Sequence, residues 1–498
     1  MARCIMVQGT TSDAGKSFLC AALCRIFHQD GWKVAPFKSQ NMALNSAITR
    51  DGLEMGRAQV VQAEAAGVVP SADMNPILLK PTSDMGSQVI VNGVPRGNFS
   101  AREYFAYKKA LIPDILAAYE RLSSQYDILV LEGAGSPAEI NLKTDDIVNM
   151  GLAKMVDAPV LLCGDIDRGG VFASLYGTVA LLEPEERARI QGLIINKFRG
   201  DVEILRPGLA MLEELTGIPV VGVVPMAGVD LEDEDSLSRR LGKGGGPGAV
   251  DVAVVRLPKL SNFTDFNPLE RFPDVSLRYV GTPKELGRPD LVILPGTKNT
   301  LSDLQWLWES GLADAILAHH RGGGAVLGVC GGYQMLGERV SDPFGVEGGG
   351  SMAGLGLLPG ETVFSRQKTR TQVTGTFTGA QGVFAPLNGT PLSGYEIHMG
   401  ETTSSTPPCT VLRTQDGVEK RDGGAAGQVL GTYVHGLLEQ GRCAGALVNS
   451  LRQAKGLPPV CAAEDWAAYK ERQYQLLADT VRASLDMERI YRILEKKE

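Results

Sequence analysis

Short runs of consecutive apolar residues recur along the chain, and stretches of helical length separate them. In the first half they are Cys4-Ile5-Met6-Val7-Gln8 and the segments 33–37, 128–131, 160–163, 192–196 and 220–224. A strand with one wet face alternates apolar and polar residues. Unbroken Val/Ile/Leu runs predict strands buried on both faces, that is, a parallel sheet with helices above and below. The stretch Leu241-Gly-Lys-Gly-Gly-Gly-Pro-Gly248 interrupts the pattern and reads as a linker. The alternation restarts at 251–255, 291–294 and 325–329, and from about Gly441 the chain has helical character to its end. The expected organisation is two α/β domains: residues 1–240, a Gly-rich linker 241–250, residues 251–445, and a helical C-terminal extension 446–498.

Composition narrows the function classes. A chain of 498 residues is long enough for two or three domains with full cores. The net charge of -8, with no basic cluster interleaved with aromatics, argues against a nucleic-acid binder. The eight cysteines have no C-x-x-C spacing, so neither a metal staple nor a disulfide framework is expected and a reducing cytoplasm is the natural home. No run approaches the roughly 18 apolar residues of a membrane span. The first apolar run ends in a glycine loop, unlike a signal peptide. The expectation is a soluble cytoplasmic protein with small-molecule ligands and no membrane or nucleic-acid partner. Its oligomeric state is not legible.

Two motifs carry chemistry. After the apolar run 325–327 comes Gly328-Val-Cys330-Gly331-Gly332-Tyr-Gln334. A strand feeding a sharp turn that opens a helix exposes the residue at the bend and aims the next N–H at an oxyanion. Buried structural cysteines are common, but the elbow marks Cys330 as a nucleophile, and His435 in Gly431-Thr-Tyr-Val-His435 could hold its thiolate. At the other end, a strand leads into Gly9-Thr10-Thr11-Ser12-Asp13-Ala14-Gly15-Lys16-Ser17 and then an apolar helix. These are the parts of a phosphate-binding loop, with one residue more than usual between the glycines. Gly9, Thr10, Thr11, Asp13, Ala14, Gly15, Lys16 and Ser17 are the candidate ATP contacts, Lys16 reaching the outer phosphates and Ser17 ligating Mg2+. Glu132, at the carboxyl end of the 128–131 run, is the expected second Mg2+ contact. Lys38, in Lys38-Ser-Gln-Asn-Met-Ala-Leu-Asn-Ser46, either neutralises a substrate carboxylate or its phosphate, or belongs to a solvated loop.

Further segments make a resemblance specific: Gly133-Ala-Gly-Ser-Pro-Ala-Glu-Ile-Asn141, Asp165-Ile-Asp-Arg-Gly-Gly-Val-Phe172, Ile195-Asn-Lys-Phe-Arg-Gly-Asp201, Ser261-Asn-Phe-Thr-Asp-Phe266 and Leu294-Pro-Gly-Thr-Lys-Asn-Thr300. With these the chain resembles, end to end, the cobyric acid synthase family of glutamine-dependent amidotransferases of cobalamin biosynthesis. The first half is similar to dethiobiotin synthetase, whose phosphate loop carries the same extra residue. The second is similar to class I glutamine amidotransferases. The resemblance implies a glutamyl thioester on Cys330 with His435 as base, an oxyanion hole from the N–H groups of Gly331 and Gly296, and Gln334 against bound glutamine. It also implies ATP- and Mg2+-dependent phosphorylation of corrinoid carboxylates and transfer of ammonia between the sites. The implied substrate is adenosylcobyrinic acid a,c-diamide, amidated at b, d, e and g.

Most relatives in the wider class carry an acid two residues after the histidine, where this chain has Leu437. Glu396, in Gly394-Tyr-Glu-Ile-His-Met-Gly400, is a stand-in to orient His435, a structural role for that segment being the other reading. Asp146 and Glu64 are further Mg2+ candidates. The competing readings are the sibling a,c-diamide synthase and a phosphate-loop switch ATPase, which usually has a lysine where this chain has Thr10 and Thr11.

Overall fold

The computed structural model describes residues 2–83, 86–232, 239–242, 248–461 and 464–496. Residues 243–247, the heart of the expected linker, lie outside the described residues. The N-terminal half is built on six parallel strands in the order Val220–Pro225, Ile190–Phe198, Val160–Asp165, Arg3–Gly9, Ile128–Glu132, Val34–Phe37. Adjacent side chains point to opposite faces, and both faces are buried. Cys4, Met6, Leu129, Leu131, Val160 and Leu162 enter one apolar core, while Ile5, Val7, Ile128, Val130, Leu161 and Cys163 enter the other. That double burial is why these strands read as unbroken apolar runs.

The second half repeats the architecture. Its strands run Val275–Val280, Val250–Val255, Leu291–Leu294, Ala325–Val329, Val429–Thr432, with Gly424–Ala426 antiparallel at the edge. Both sheets are therefore open α/β sheets, and their carboxyl ends are where ligands bind in such folds.

Three features were not legible as runs. A flanking sheet, Gln40–Met42, Ile77–Ser83, Gly86–Val91, Val94–Ser100, stands beside the first parallel sheet. A long antiparallel pair, Gly360–Phe377 with Pro391–Ser404, extends from the second half and packs on the short strand Ser46–Ile48 of the first. The helices at the end of the chain divide between the halves. Gly441–Ala454 contributes Leu447, Val448 and Leu451 to the second core, so the boundary drawn at 445 falls inside a helix. Trp466–Arg482 instead lies along Lys16–Gln29, putting Tyr474, Leu477, Ala478 and Val481 into the core that holds Leu19 and Leu23. The terminal helix Met487–Leu494 adds Ile490 and Leu494 to that core. Among the described residues no helix is long and apolar enough to cross a membrane.

Candidate active sites

The phosphate loop leaves Arg3–Gly9 at its carboxyl end and enters the helix Lys16–Gln29 through Gly15, whose φ of 102° is left-handed. A Cβ there would overlap the Asn196 amide, and that amide donates to Ala14 O at 2.9 Å, bracing the loop. Lys197 completes the brace by donating to Asp13 O and pairing with Asp165 at 2.8 Å. The Lys16 ammonium spans the mouth of the loop, donating to Thr11 O at 2.9 Å and Gly135 O at 3.0 Å.

Glu132 is the node of this site. Ser17 Oγ donates to its Oε1 at 2.8 Å, Lys38 Nζ to the same oxygen at 2.9 Å, and Gln62 Nε2 to Oε2 at 2.5 Å. Burial alone would raise the pKa of Glu132, but the Lys38 charge and these hydrogen bonds lower it, so the group is an ionised carboxylate. Lys38 is thus a buried partner of Glu132 and not part of a solvated loop. The other acids considered for a metal are committed differently. Asp146 accepts from the N–H groups of Val148, Asn149 and Gly151 at 2.8–2.9 Å. Glu64 turns toward the C-terminal helix, where it takes Lys470 at 2.9 Å and Tyr474 at 2.7 Å.

In the second half, Ala325–Val329 and Val429–Thr432 are neighbouring parallel strands with Gly328 opposite Gly431 and Val329 opposite Thr432. Both chains leave at the same end, so Cys330 and His435, distant in sequence, line one pocket. Cys330 has φ 53° and ψ -110° and caps the helix Gly331–Leu336. This is the strained elbow expected of a nucleophile. Gly332 permits it, because a Cβ at that position would run into Leu294 O. Gly331 opens the helix, so its N–H is among those without an intrahelical acceptor. Gly296 abuts the imidazole, a Cβ there meeting His435 Cε1 at 3.0 Å. Gln334 is buried on the pocket wall, accepting from Thr300 Oγ1 at 3.0 Å and donating to Tyr433 Oη at 3.3 Å.

The group orienting His435 is Asp265. Its Oδ2 lies 2.6 Å from His435 Nδ1, and its Oδ1 accepts from Gly436 N at 3.1 Å. The expectation for Glu396 is corrected by strand geometry. Successive side chains of Pro391–Ser404 face opposite ways. Tyr395 stacks on His435 with ring centres 5.4 Å apart, so Glu396 points away and pairs with Lys420 at 2.7 Å. Burial alone would lower the pKa of His435, but the Asp265 carboxylate and the Cys330 sulfur raise it to about 10. The ring is therefore an imidazolium at neutral pH. The other histidine on this wall, His398, is held down to about 3 by burial and bonds through Nδ1 to Gly400 O at 2.7 Å. It is a neutral structural group.

Asp265 was hidden because it lies 170 residues before the histidine, on another strand exit. Its only signal was the segment Ser261–Phe266, which follows the apolar run 251–255 after five intervening residues. The same segment joins the two halves. Asn262 Nδ2 donates to Ser46 O at 2.8 Å and Tyr395 Oη at 2.6 Å, and Tyr395 Oη donates to Ser46 O at 3.1 Å. The backbones of Tyr395 and His435 are bridged as well. The last residue of the Lys38–Ser46 segment is thereby two contacts from the catalytic imidazole.

Residues 5–234 match the CobQ/CobB/MinD/ParA nucleotide binding domain, and residues 251–443 match the CobB/CobQ-like glutamine amidotransferase domain. Over 502 residues the chain is 58% identical to the cobyric acid synthase of Ruminiclostridium cellulolyticum, covering 100% of this chain and 98% of that one. The cobyric acid synthase of Lachnoclostridium phytofermentans is 57% identical over 514 residues, with 100% of both chains covered. That of Salmonella agona is 54% identical over 503 residues, covering 100% and 99%.

Asp265→Asn tests the orienting role. Without the carboxylate, burial dominates and the His435 pKa falls, so the imidazolium, lost in the wild type only as pH rises through about 10, is lost at lower pH. Glutaminase activity should drop on the order of 10²–10⁴-fold. The pH dependence of Cys330 alkylation, followed by peptide mass, should move with it. An unchanged alkylation profile would show that Asp265 only packs against the ring.

Proposed function

The chain belongs to the cobyric acid synthase family, and on that premise we propose that Cys330 and the Glu132 site run the two halves of a glutamine- and ATP-dependent amidation of corrinoid carboxylates. The observation that carries the reading is the pairing, in one chain, of a strained Cys330 beside an Asp265-held imidazolium with a phosphate loop whose serine meets a buried carboxylate. It is an enzyme, an ATP-dependent C–N ligase of cobalamin biosynthesis that hydrolyses glutamine.

At the first site the Cys330 thiolate attacks the side-chain carbonyl of glutamine. The N–H groups of Gly331 and Gly296 would meet the developing oxyanion. His435 gives its proton to the departing nitrogen, releasing ammonia and leaving a thioester. Water, deprotonated by the same imidazole, then frees glutamate. At the second site a corrinoid carboxylate oxygen attacks the γ-phosphorus of ATP, giving an acyl phosphate and ADP. Ammonia adds to that acyl carbon and phosphate leaves with the C–O bond, giving the amide. A carboxylate is inert to ammonia without this step, because oxide is not a leaving group.

Lys16 would neutralise the transferring phosphoryl group. Ser17 Oγ and Glu132 Oε1, hard oxygens 2.8 Å apart at the mouth of the loop, suit Mg2+, which shares its coordination with phosphates and water. Bound there, Mg2+ supplies charge neutralisation to the phosphates. Lys38, already on Glu132, would neutralise the acceptor carboxylate or its phosphate. The substrate is adenosylcobyrinic acid a,c-diamide, taken to adenosylcobyric acid by amidation at b, d, e and g. The full-length relatives named above carry this activity's name, so amidation at a and c is not favoured. A switch ATPase has no use for the Cys330–His435–Asp265 arrangement.

Cys330→Ala should abolish glutamine-dependent amidation and leave amidation from ammonium salts, measured as corrinoid mass shifts with each nitrogen source. Wild-type glutamine use by this variant would remove Cys330 from the mechanism. Lys16→Ala should reduce amidation on the order of 100-fold or more with either nitrogen source, since activation precedes both. Normal ammonia-dependent turnover would instead place the nucleotide elsewhere.

A further inference from the structure

Beside the phosphate loop lies a cavity of about 460 Å³, against about 40 Å³ for the pocket around Cys330. One wall is the segment 134–137, including Gly135, whose carbonyl holds the Lys16 ammonium at 3.0 Å. A ligand filling the cavity thus touches the glycine whose carbonyl holds the lysine assigned to the phosphates. Much of the remaining wall is apolar, and it includes side chains that soluble proteins ordinarily cover: Met42 is 59% exposed, Phe105 44% and Leu142 42%. Within this surface sits Lys108. It is only 8% exposed, its ammonium stands 4.5 Å from the centre of the Phe105 ring, and that ammonium makes no hydrogen bond or ion pair among the described residues. Of the acids of the wall, Glu186 is engaged by Lys143 and Lys154 and Asp146 by backbone N–H groups, while the Glu139 carboxylate has no ion pair among the described residues. Two other large hollows, one around Arg57 and Gln372 and one around Arg187 and Arg492, contain no phosphate-loop neighbour in their walls.

Resting on the reading above, we infer that this cavity is the corrinoid site, taking the macrocycle against Met42, Phe105 and Leu142 and one of its peripheral carboxylates on Lys108. A broad apolar ring system edged with carboxylates matches an apolar wall holding one uncommitted cation. Replacing Phe105→Ala and, separately, Lys108→Met should raise KM for the diamide about tenfold or more. Glutaminase turnover and KM for glutamine and ATP should stay at wild-type values. An unchanged corrinoid KM in both variants overturns the site. Absence of corrinoid amidation by the wild type would instead overturn the functional reading itself.

A separate observation concerns the partition between the two cavities. Along Ile77–Ser83, Leu79 and Pro81 face the corrinoid cavity while Lys80 faces the Cys330 pocket, as alternation requires. The flanking sheet is therefore a wall with one reaction on each side. Its neighbour Gln40–Met42 pairs only as far as Leu79. Beyond that the edge is closed by side chains: Lys80 Nζ lies 2.8 Å from Ser46 Oγ and 2.9 Å from Glu54 Oε1, and Lys368 reaches Glu54 Oε2 at 2.7 Å from the other domain. The cluster is buried and sets two lysines against the single Glu54 carboxylate, so whenever both are protonated it repels ammonium but not ammonia. Burial also lowers the Lys368 pKa to about 7.

The geometry points to the Lys80–Ser46 edge as the place where ammonia crosses. Lys80→Met and Lys80→Leu should keep glutaminase activity and ammonia-dependent amidation but uncouple them. Glutamate formed per amide should rise from near one to several. A ratio that stays near one, or a parallel loss of both rates in both variants, overturns the crossing point.

Discussion

The strained backbone of Cys330 sets the terms for everything around it. A non-glycine residue at φ 53°, ψ -110° costs on the order of 1–3 kcal/mol and persists only where its surroundings leave no alternative. Here they do. Cys330 N donates to Thr432 O at 2.8 Å, tying the elbow to the strand that delivers His435. Gly332 lies against Leu294 O, so the helix cannot slide back to relieve the turn. The sheet thus fixes the sulfur, the imidazole and the first N–H of the helix through one set of strand ends. Asp265 then needs only to select the tautomer and charge of a ring whose place is already determined.

That rigidity ties the two reactions together. Tyr395 hydrogen-bonds through its backbone to His435 and through its hydroxyl to Ser46, so the catalytic histidine is braced by the synthetase half. Asn262, in a left-handed conformation just before the turn that carries Asp265, makes the same connection from the other side. A displacement of the Lys38–Ser46 segment would be felt at both ends: at Glu132 through Lys38, and at His435 through Tyr395. Coupling needs no long pathway here, because one segment touches both sites.

The strands buried on two faces were legible in the sequence because their environment imposes an apolar residue at nearly every position, and the elbow and phosphate loop were legible because their backbones demand glycine at fixed places. The flanking sheet and the pair Gly360–Phe377 with Pro391–Ser404 were not. One face of each meets a cavity or the other domain, so Lys80, Lys368 and Tyr395 are chosen for partners far away in the chain and interrupt any pattern. Asp265 was missed for the same reason. Its requirement is set by a ring reached only through the fold, and the local residues Leu437 and Glu396 drew attention to the wrong neighbourhood. Lys38 was half legible: its charge was visible in the sequence, but its partner Glu132 was not.

Placing both chemistries on one sheet wall also answers a constraint that neither site meets alone. Free ammonia in neutral water is almost wholly protonated, and ammonium has no lone pair to add to an acyl phosphate. The acyl phosphate is in turn vulnerable to water. Repeating the amidation on several carboxylates of one corrinoid multiplies both losses. A wall one strand thick makes the transfer short, so that ammonia need not pass through bulk water. The period of the β-strand does the separating: Leu79 and Pro81 serve the apolar macrocycle, and Lys80 between them serves the nitrogen source. A single-residue slip of Ile77–Ser83 against its neighbours would exchange those faces, putting an ammonium group among the apolar contacts and a leucine into the charged cluster. The pairing of Ile77 with Gln40 on one side and with Val91 on the other holds the register that keeps the two reactions apart.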